Sequence, residues 1–374
     1  MPSDYDVIVV GVGGMGSAAC AHLAERGVDV LGLERYGIPH AEGSSHGSTR
    51  IIRYAYSEGE SYVPLLERAY ELWRDLDADH DRDLLTTTGS LTVGPPDEGL
   101  VPDARDALDA HGKAYDYLDA AGLEARFPYA VDDDWRAIYQ PDGGFLDPEQ
   151  SIVAHVDRAH ANGATIKGRE AVTAWREDDS GVTVDTEKGT YTADHLVVAA
   201  GAWSPDLCPG LADHLTVERQ VMGWFQPTDP AAFTPDAFPV FMVETGGNEL
   251  YGFPRHDLPG MKVGVHHHRN EETDPDALAE PTREDEAHVR DALTDYIPDA
   301  AGETLGLATC LYTNTPDRDF VLGALPNAER VTVAAGFSGH GFKFTSVVGE
   351  ILADLALDGR TDHPIAGFDP ARFD

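Results

Sequence analysis

The stretch Asp6-Val-Ile-Val-Val10-Gly11-Val-Gly13-Gly14-Met15-Gly16-Ser17 decides the architecture of this chain. Asp6 is followed by four β-branched apolar residues, which read as a short strand buried on both faces, as in a parallel sheet. Glycines at 11, 13 and 16 follow at once, and Ser17 to Arg26 then carries a helical pattern that Gly27 ends. Val28 to Glu34 is a second apolar strand. In such a β-turn-α-β unit the three glycines allow a tight turn, close backbone approach to a pyrophosphate, and close helix–strand packing. The free N–H groups at the helix start face the phosphates with partial positive charge. Glu34 stands 23 residues beyond Gly11, where a carboxylate accepts hydrogen bonds from an adenosine ribose. A negative group there disfavours a 2′-phosphate, so the unit takes FAD or NAD and not NADP. The motif alone does not separate the first two.

Working outward, Ser61 to Asp79 has helical spacing (Leu66, Tyr70, Trp73, Leu76), and Thr86 to Gly94 reads as one strand. Pro102 to Phe127 reads as one or two helices with a break near Gly112. Ser151 is the expected cap of a helix carrying Ile152, Val153, Val156 and Ala159. Short alternating segments follow at 171–176, 182–185 and 190–192. His195-Leu-Val-Val-Ala-Ala-Gly201-Ala-Trp203 is another buried strand ending in glycine. That strand returns to the first sheet, so the nucleotide domain is discontinuous. Residues 217–310 hold more strands, with an acidic insertion at 271–286 leading into a helix from Glu284 to Tyr296. Val331 to Leu357 reads as strand, glycine-rich turn and helix, and no internal repeat is visible.

The 374 residues carry 66 Asp and Glu against 27 Lys and Arg, a formal charge of −39. Nucleic acid and anionic membrane surfaces repel such a chain, because binding them requires basic patches. Disorder is excluded by 42% hydrophobic residues, enough for a real core. Lysine is almost absent: Lys113, Lys167, Lys188, Lys262 and Lys343 are the whole set, and arginine supplies the other 22 positive charges. Spread-out acidity with few lysines is what a high-salt cytoplasm favours, since carboxylates stay hydrated and salt screens their repulsion. The expectation is a halophilic protein. Cys20, Cys208 and Cys310 form no disulfide framework. With no long apolar run and no leader pattern, a soluble cytoplasmic protein is expected.

Three segments combine charge with glycine and apolar residues. Gly43-Ser-Ser45-His46-Gly-Ser-Thr49-Arg50-Ile-Ile-Arg53-Tyr-Ala-Tyr56 suggests a loop folding over a ligand, followed by arginines that enter a site; an Arg fork suits a carboxylate or phosphate. The competing reading pairs Arg50 and Arg53 with local acids. In Met261-Lys262-Val-Gly-Val-His266-His267-His268, Lys262, Gly264 and His266 share one face of a strand. Adjacent strand residues point to opposite faces, so the three histidines are not read as a metal site, and no metal is expected. A lysine retained between apolar neighbours in this lysine-poor chain is a candidate functional charge. Gly336-Phe-Ser-Gly339-His340-Gly341-Phe342-Lys343-Phe lets backbone approach a ligand, and Lys343 stands near the start of the final helix. Cys310 by itself reads as inert core.

Taken together, these motifs resemble the monomeric sarcosine oxidase and N-methyltryptophan oxidase family of D-amino-acid-oxidase-like flavoproteins. The resemblance runs the length of the chain. It rests on Gly11 to Gly16, Ser45 to Arg53, Tyr251-Gly-Phe-Pro, Lys262 to His266, Thr-Cys310-Leu-Tyr312-Thr, and Gly336 to Phe344. It implies an α/β fold in which a Rossmann-like FAD-binding domain (1–85, 148–216 and 305–374) interleaves with a mixed-sheet substrate domain (86–147 and 217–304). It implies FAD linked through a thioether from Cys310 to the flavin 8α-carbon. Arg53 and Lys343 fall on the residues that hold the substrate carboxylate, and Lys262 on the strand lysine that promotes reaction with oxygen. His266 and Tyr251 fall on groups lining the substrate site. Arg50 and His46 fall beside the flavin, as do Tyr312 and His340. The cofactor contacts implied further include Gly14, Met15, Glu34, Arg35, Ser45, Thr49, Val172, Gly201, Trp203, Gly339, Gly341 and Phe342.

The expected reaction is oxidation of a secondary amino acid such as sarcosine to an imine, which hydrolyses to aldehyde and primary amine, with oxygen reduced to hydrogen peroxide. Other substrates (N-methyltryptophan, pipecolate, proline, glycine), a dehydrogenase passing electrons elsewhere, and a non-catalytic flavin-binding subunit are the alternatives. Binding alone requires neither Arg53, Lys262 nor Lys343, and oxygen as acceptor gives Lys262 a role. The family resemblance favours a monomer. The stretch 235–249, where contacts to a substrate side chain are expected, departs most from a recognisable pattern.

Overall fold

Tyr5–Val10 forms the centre of the first sheet. In the computed structural model, which describes residues 3–373, this strand pairs in parallel with Val30–Leu33 on one side and Thr190–Val198 on the other. Val7 to Val10 are buried, as their β-branched run requires. Thr165–Lys167 extends the sheet beyond Val30–Leu33, and Gly181–Thr186 and Val172–Asp178 extend it on the other side. Val331–Ala335 adds in parallel to the end of Thr190–Val198, and Val321–Ala324 pairs antiparallel with it. The segments at 190–192 and 195–198 are thus one strand. The helices Gly14–Glu25, Pro148–Ala161 and Thr345–Asp358 share one apolar core against this sheet.

A second sheet of nine strands is built mainly from residues 216–314. Thr216–Phe225 runs antiparallel to Met261–His266, to Glu271–Glu272 and, along its whole length, to Thr304–Asn314. The sequence reading put residues from 305 onward with the nucleotide unit. Thr304–Asn314 belongs instead to the second sheet, because its partner is Thr216–Phe225; apolar alternation marks a strand without naming the sheet it joins. Glu249–Phe253, Val240–Glu244, Ser90–Gly94, Arg136–Gln140 and Asp116–Asp119 complete the order. Helix Arg283–Tyr296 is closed by a capping box between Thr282 and Asp285. It packs Val289 and Leu293 against Phe225, Leu250, Met261, Val263 and Val265.

A third sheet of three short strands, Arg50–Ile52, Gly144–Leu146 and Leu85–Thr87, completes the strand inventory. The single strand expected over Thr86 to Gly94 is therefore two, in different sheets. The helical expectation over Pro102 to Phe127 also changes. Leu100–Ala110 is helical, Asp116–Asp119 is an edge strand, and Ala120–Arg126 is a short helix capped by Asp119. The helix assigned a Ser151 cap begins earlier, at Pro148, with the Asp147 carboxylate accepting from the Gln150 N–H at 2.9 Å. Proline at the first helical position suits that start, and the Ser151 hydroxyl donates instead to the Asp147 carbonyl. No helix of the described residues is long and apolar enough to cross a membrane.

Candidate active site

The site begins at the first glycine turn. Gly11 has φ +87°, and a Cβ there would lie 2.5 Å from the Ala199 carbonyl oxygen. A Cβ on Gly16 would lie 1.7 Å from the Gly11 carbonyl oxygen, so only glycine lets the helix start this close to the strand. Glu34 is buried at the end of Val30–Leu33. Its carboxylate accepts from the Val12 and Tyr36 N–H groups, each at 2.8 Å. Burial alone would raise its pKa, but His40 and the Tyr36 amide outweigh it and hold the group below the ordinary carboxylate range. The cavity around it is lined by Gly11, Gly13, Glu34, Arg35, Val172 and Trp203. Arg35 is held between the Trp203 ring, 5.3 Å away, and the Asp276 carboxylate at 2.9 Å. Trp203 Nε1 donates to the same carboxylate.

That cavity adjoins a second one, and Ser44, Ser45, Ala199 and Gly201 line both. The result is an elongated cleft running from the first sheet to the second. Its far part is lined by Met15, Thr49, Arg50, Cys310, Tyr312 and the Gly339 to Lys343 loop. Gly14, Gly16 and His46 stand behind this surface. Thr49 lines the cleft, and its Oγ1, like His46 Nε2, is buried without a hydrogen-bond partner among the described residues. An elongated dinucleotide fits this donor set: a ribose-accepting carboxylate at one end, a glycine turn and helix start midway, and unsatisfied polar atoms beyond.

Strand alternation places the chemistry on one face of the second sheet. Met261, Val263 and Val265 pack toward helix Arg283–Tyr296, while Lys262 and His266 line the cleft. The Lys262 ammonium donates to the Gly47 and Thr49 carbonyls, both at 2.8 Å, and stands 4.8 Å from the Phe253 ring. Burial, reinforced by Arg50, pushes its pKa well below the ordinary lysine value. Arg50 donates to the Thr49 carbonyl at 2.7 Å and the Ser44 carbonyl at 2.6 Å, and its Nη2 lies 3.7 Å from Cys310 Sγ. Cys310 therefore is not inert core: it lines the cleft with an arginine against its sulfur.

Arg53 is almost fully buried and lines the cleft. Its guanidinium donates to the Ala55 carbonyl, to Ser57 Oγ at 3.3 Å and to Glu58 at 3.3 Å, while Nε has no partner. The local-acid reading thus holds for Arg53 in part, whereas Arg50 is held by carbonyls. Burial opposes ionisation of Glu58, but Arg53, His340 and Lys343 outweigh it and hold its pKa at about 2. The Lys343 ammonium donates to the His340 carbonyl at 2.8 Å and lies 5.1 Å from the Tyr56 ring. Burial lowers its pKa to about 7 against the pull of Glu58. Trp73 Nε1 fixes its backbone by donating to the Lys343 carbonyl.

The three consecutive histidines separate because the strand ends at His266 and the chain turns at His267, which has φ +53°. His266 faces the cleft with Nδ1 3.2 Å from the Tyr312 hydroxyl, and burial holds it neutral, its pKa well below the usual value. His267 turns to Glu218 at 2.9 Å, and His268 is buried against Asp285 at 2.9 Å. Tyr251 lines the cleft, its pKa raised by burial to about 12. His340 is bound by the Tyr56 hydroxyl and the Arg318 carbonyl. Sequence reasoning missed Glu58, Gln220, Met222, Met242 and Phe253, all of which line the cleft. The last four alternate on their strands, but a face can be assigned only when the strand order is known. Glu58 sits in an acidic stretch that reads as surface.

Two sheets joined by a dinucleotide cleft that ends in buried cations define a dinucleotide-dependent oxidoreductase. The profile of the FAD dependent oxidoreductase family matches residues 6–355, and the chain belongs to that family. It is 43% identical over 379 residues to a monomeric sarcosine oxidase of Streptomyces avermitilis, covering 100% of this chain and 99% of that protein. It is 36% identical over 377 residues to an N-methyl-L-tryptophan oxidase of Escherichia coli O157:H7, covering 99% of both. Among solved structures, NikD, an unusual amino acid oxidase essential for nikkomycin biosynthesis, superposes with a TM-score of 0.83 at 29% identity, covering 98% of this chain and 97% of that one.

Proposed function

We propose that this enzyme oxidises the C–N bond of N-methyl amino acids such as sarcosine, with oxygen as the electron acceptor. The observation that carries the reading is that Arg53, Lys343 and Lys262 all line one cavity, which adjoins a second that fits part of a dinucleotide. Arg53 and Lys343 hold the substrate carboxylate, which takes over from Glu58 as the partner of Arg53. Fixing that carboxylate places the N-alkyl carbon for reaction and makes the step effectively unimolecular. When bound, FAD supplies the two-electron oxidation and passes the electrons to oxygen, giving hydrogen peroxide. The substrate reacts as a neutral amine, which a cleft rich in cations favours over the ammonium. Neutral His266 accepts a hydrogen bond from that amine, with Tyr312 orienting its ring. The imine product hydrolyses to an aldehyde and a primary amine. Lys262, held by two carbonyls, stabilises negative charge developing on oxygen.

Cys310 is the proposed attachment point of the cofactor. Forming the bond from Sγ to the flavin 8α-carbon removes the thiol hydrogen and one methyl hydrogen, and oxygen takes up these two electrons as hydrogen peroxide. Arg50 stands beside the sulfur, its Nη2 3.7 Å from Sγ. The acidic surface is proposed as an adaptation to high salt, in a cytoplasmic monomer. Its support is that Lys262 and Lys343, in the cleft, are the buried lysines of the five, and that all three cysteines are free.

The test follows absorbance of the bound flavin under anaerobic conditions, then peroxide in air, with sarcosine, N-methyltryptophan, pipecolate, proline and glycine. Sarcosine or another N-methyl amino acid should bleach the flavin and yield peroxide. Bleaching by none of them would overturn the reading; bleaching without peroxide would overturn the assignment of oxygen.

A further inference from the structure

Beside the cleft, next to the lining residues Tyr251 and His266, stands a carboxylate for which the reaction above has no use. Strand Glu249–Phe253 puts Glu249, Tyr251 and Phe253 on one face, and Tyr251 and Phe253 line the cleft. Leu250, on the other face, packs into the core under helix Arg283–Tyr296. Glu249 lies directly across from His266 on one neighbouring strand and from Glu244 on the other. Four residues separate it from Phe253, the partner of Lys262, so it stands about 13 Å along the strand from the Lys262 end. Its carboxylate forms no hydrogen bond or ion pair with any described residue, although it is only partly exposed. Burial raises its pKa to about 7, and Glu58 and Glu244 add to the rise while Arg53 opposes it. Arg53, whose charge opposes that rise, is nearly fully buried, lines the cleft and has no partner for its Nε among the described residues.

We propose that Glu249 is a specificity determinant that receives the cationic end of a substrate side chain, so that this enzyme favours amino acids carrying a distal amine or guanidinium. The inference rests on the reading of the cleft as an amino-acid-oxidising site. Arg53 and Lys343 fix the α-carboxylate, and a side chain of lysine or arginine length leaves that clamp toward the Glu249 end of the strand. A cation there gains an unpaired carboxylate as its partner and relieves the repulsion among Glu249, Glu244 and Glu58. A neutral chain of equal length leaves the three carboxylates facing one another, and an acidic one adds a fourth.

The holoenzyme is titrated with 6-aminohexanoate and with hexanoate, binding being read from the flavin absorbance. In parallel, kcat/KM is compared for Nα-methyl-lysine and Nα-methyl-norleucine. The amine-bearing member of each pair should be favoured on the order of tenfold, as expected for a partly desolvated charge pair. In Glu249→Gln the preference should shrink to about twofold or less, with Glu249→Leu as a second variant and flavin content as the check on folding. Equal affinities in the unmodified enzyme, or a preference that survives both substitutions, would overturn the proposal. If no amino acid reduces the flavin but the ligand preference exists and depends on Glu249, the inference stands and the oxidase reading fails. If sarcosine is oxidised and the preference is absent, the reverse holds.

Discussion

The strand Thr216–Phe225 carries buried charge chemistry on both faces, and the two faces differ in kind. On the helix side, Arg219 donates to both oxygens of Asp285, at 3.2 and 2.9 Å, to Glu271 at 3.2 Å, and to the Ala279 and Glu280 carbonyls. His268 reaches the same carboxylate, and Thr282 donates to it from backbone and side chain. Every charge there has its countercharge. On the cleft side, where Gln220 and Met222 point, Lys262 and Lys343 meet only carbonyl oxygens and aromatic faces among the described residues, and Arg53 has one carboxylate partner, Glu58. Paired buried charges hold elements in register; under-paired ones are costly to keep and persist where a ligand completes them.

The largest effect that would break this contrast is on the cleft side. Lys262→Met should slow reoxidation by oxygen about a hundredfold or more while leaving anaerobic flavin reduction much less affected, because the fixed charge acts on the oxygen step. Equal losses in stopped-flow measurements of the two half-reactions would defeat the assignment. Cys310→Ala should release all flavin into the supernatant on acid precipitation, where the parent protein keeps it in the pellet. Flavin retained in the variant's pellet would exclude the thioether to this sulfur.

On the helix side, Asp285→Ala should cost on the order of 3–5 kcal/mol in denaturant unfolding, since it leaves the buried Arg219 with only the exposed Glu271 as countercharge. Burial opposes ionisation of Asp285, but Arg219, His268 and Thr282 depress its pKa far below the usual carboxylate value. The unfolded chain therefore binds a proton at higher pH than the folded one does. The stability contributed is complete above the ordinary carboxylate pKa and is lost as pH falls below it. The acid limb of unfolding should flatten in the alanine variant.

Lys343 gives a smaller signal of opposite sense. Its pKa near 7 in the free enzyme means that the ammonium is lost as pH rises past neutrality. An arriving carboxylate favours the protonated form, so binding takes up a proton above that point. The Kd of a simple carboxylate such as propionate should rise with pH above about 7, by up to about tenfold per pH unit, and lose this slope in Lys343→Met. A pH-independent Kd in the parent enzyme would contradict the clamp. The smallest site-specific signal is none at all: molar KCl should raise the thermal midpoint of all these variants and the parent alike, because it screens the −39 charge of the whole surface.

Much of this contrast was legible before any coordinates. Gly11, Gly16 and Glu34 fixed the nucleotide end, since the β-turn-α-β pattern is local and its glycines have a single steric use. The lysine-poor background marked Lys262 and Lys343, whereas the expectation that strand alternation would separate the three histidines failed, because the strand ends at His266 and a left-handed turn at His267 redirects the chain. Ser151 as a helix cap and a single strand over Thr86 to Gly94 were wrong because proline and turn geometry at 88–89 and 147–148 overrode the local pattern. Glu58 was invisible for another reason, and Glu249 was marked only as part of the stretch 235–249: in a chain with 66 acids, sequence gives no means of telling a solvated carboxylate from one turned inward.

The division follows from the range of the forces. Residue type and spacing along the chain determined the dinucleotide unit, the faces of individual strands and the scarcity of lysine, because these depend on neighbours within a few positions. Only the tertiary structure decided that Thr304–Asn314 joins Thr216–Phe225, which sets Cys310 beside Arg50, across 260 residues. It also decided which cations found countercharges and which were left to carbonyls. Pairing between distant strands, and the burial that goes with it, is set by the packing of whole sheets, and no local pattern carries that information.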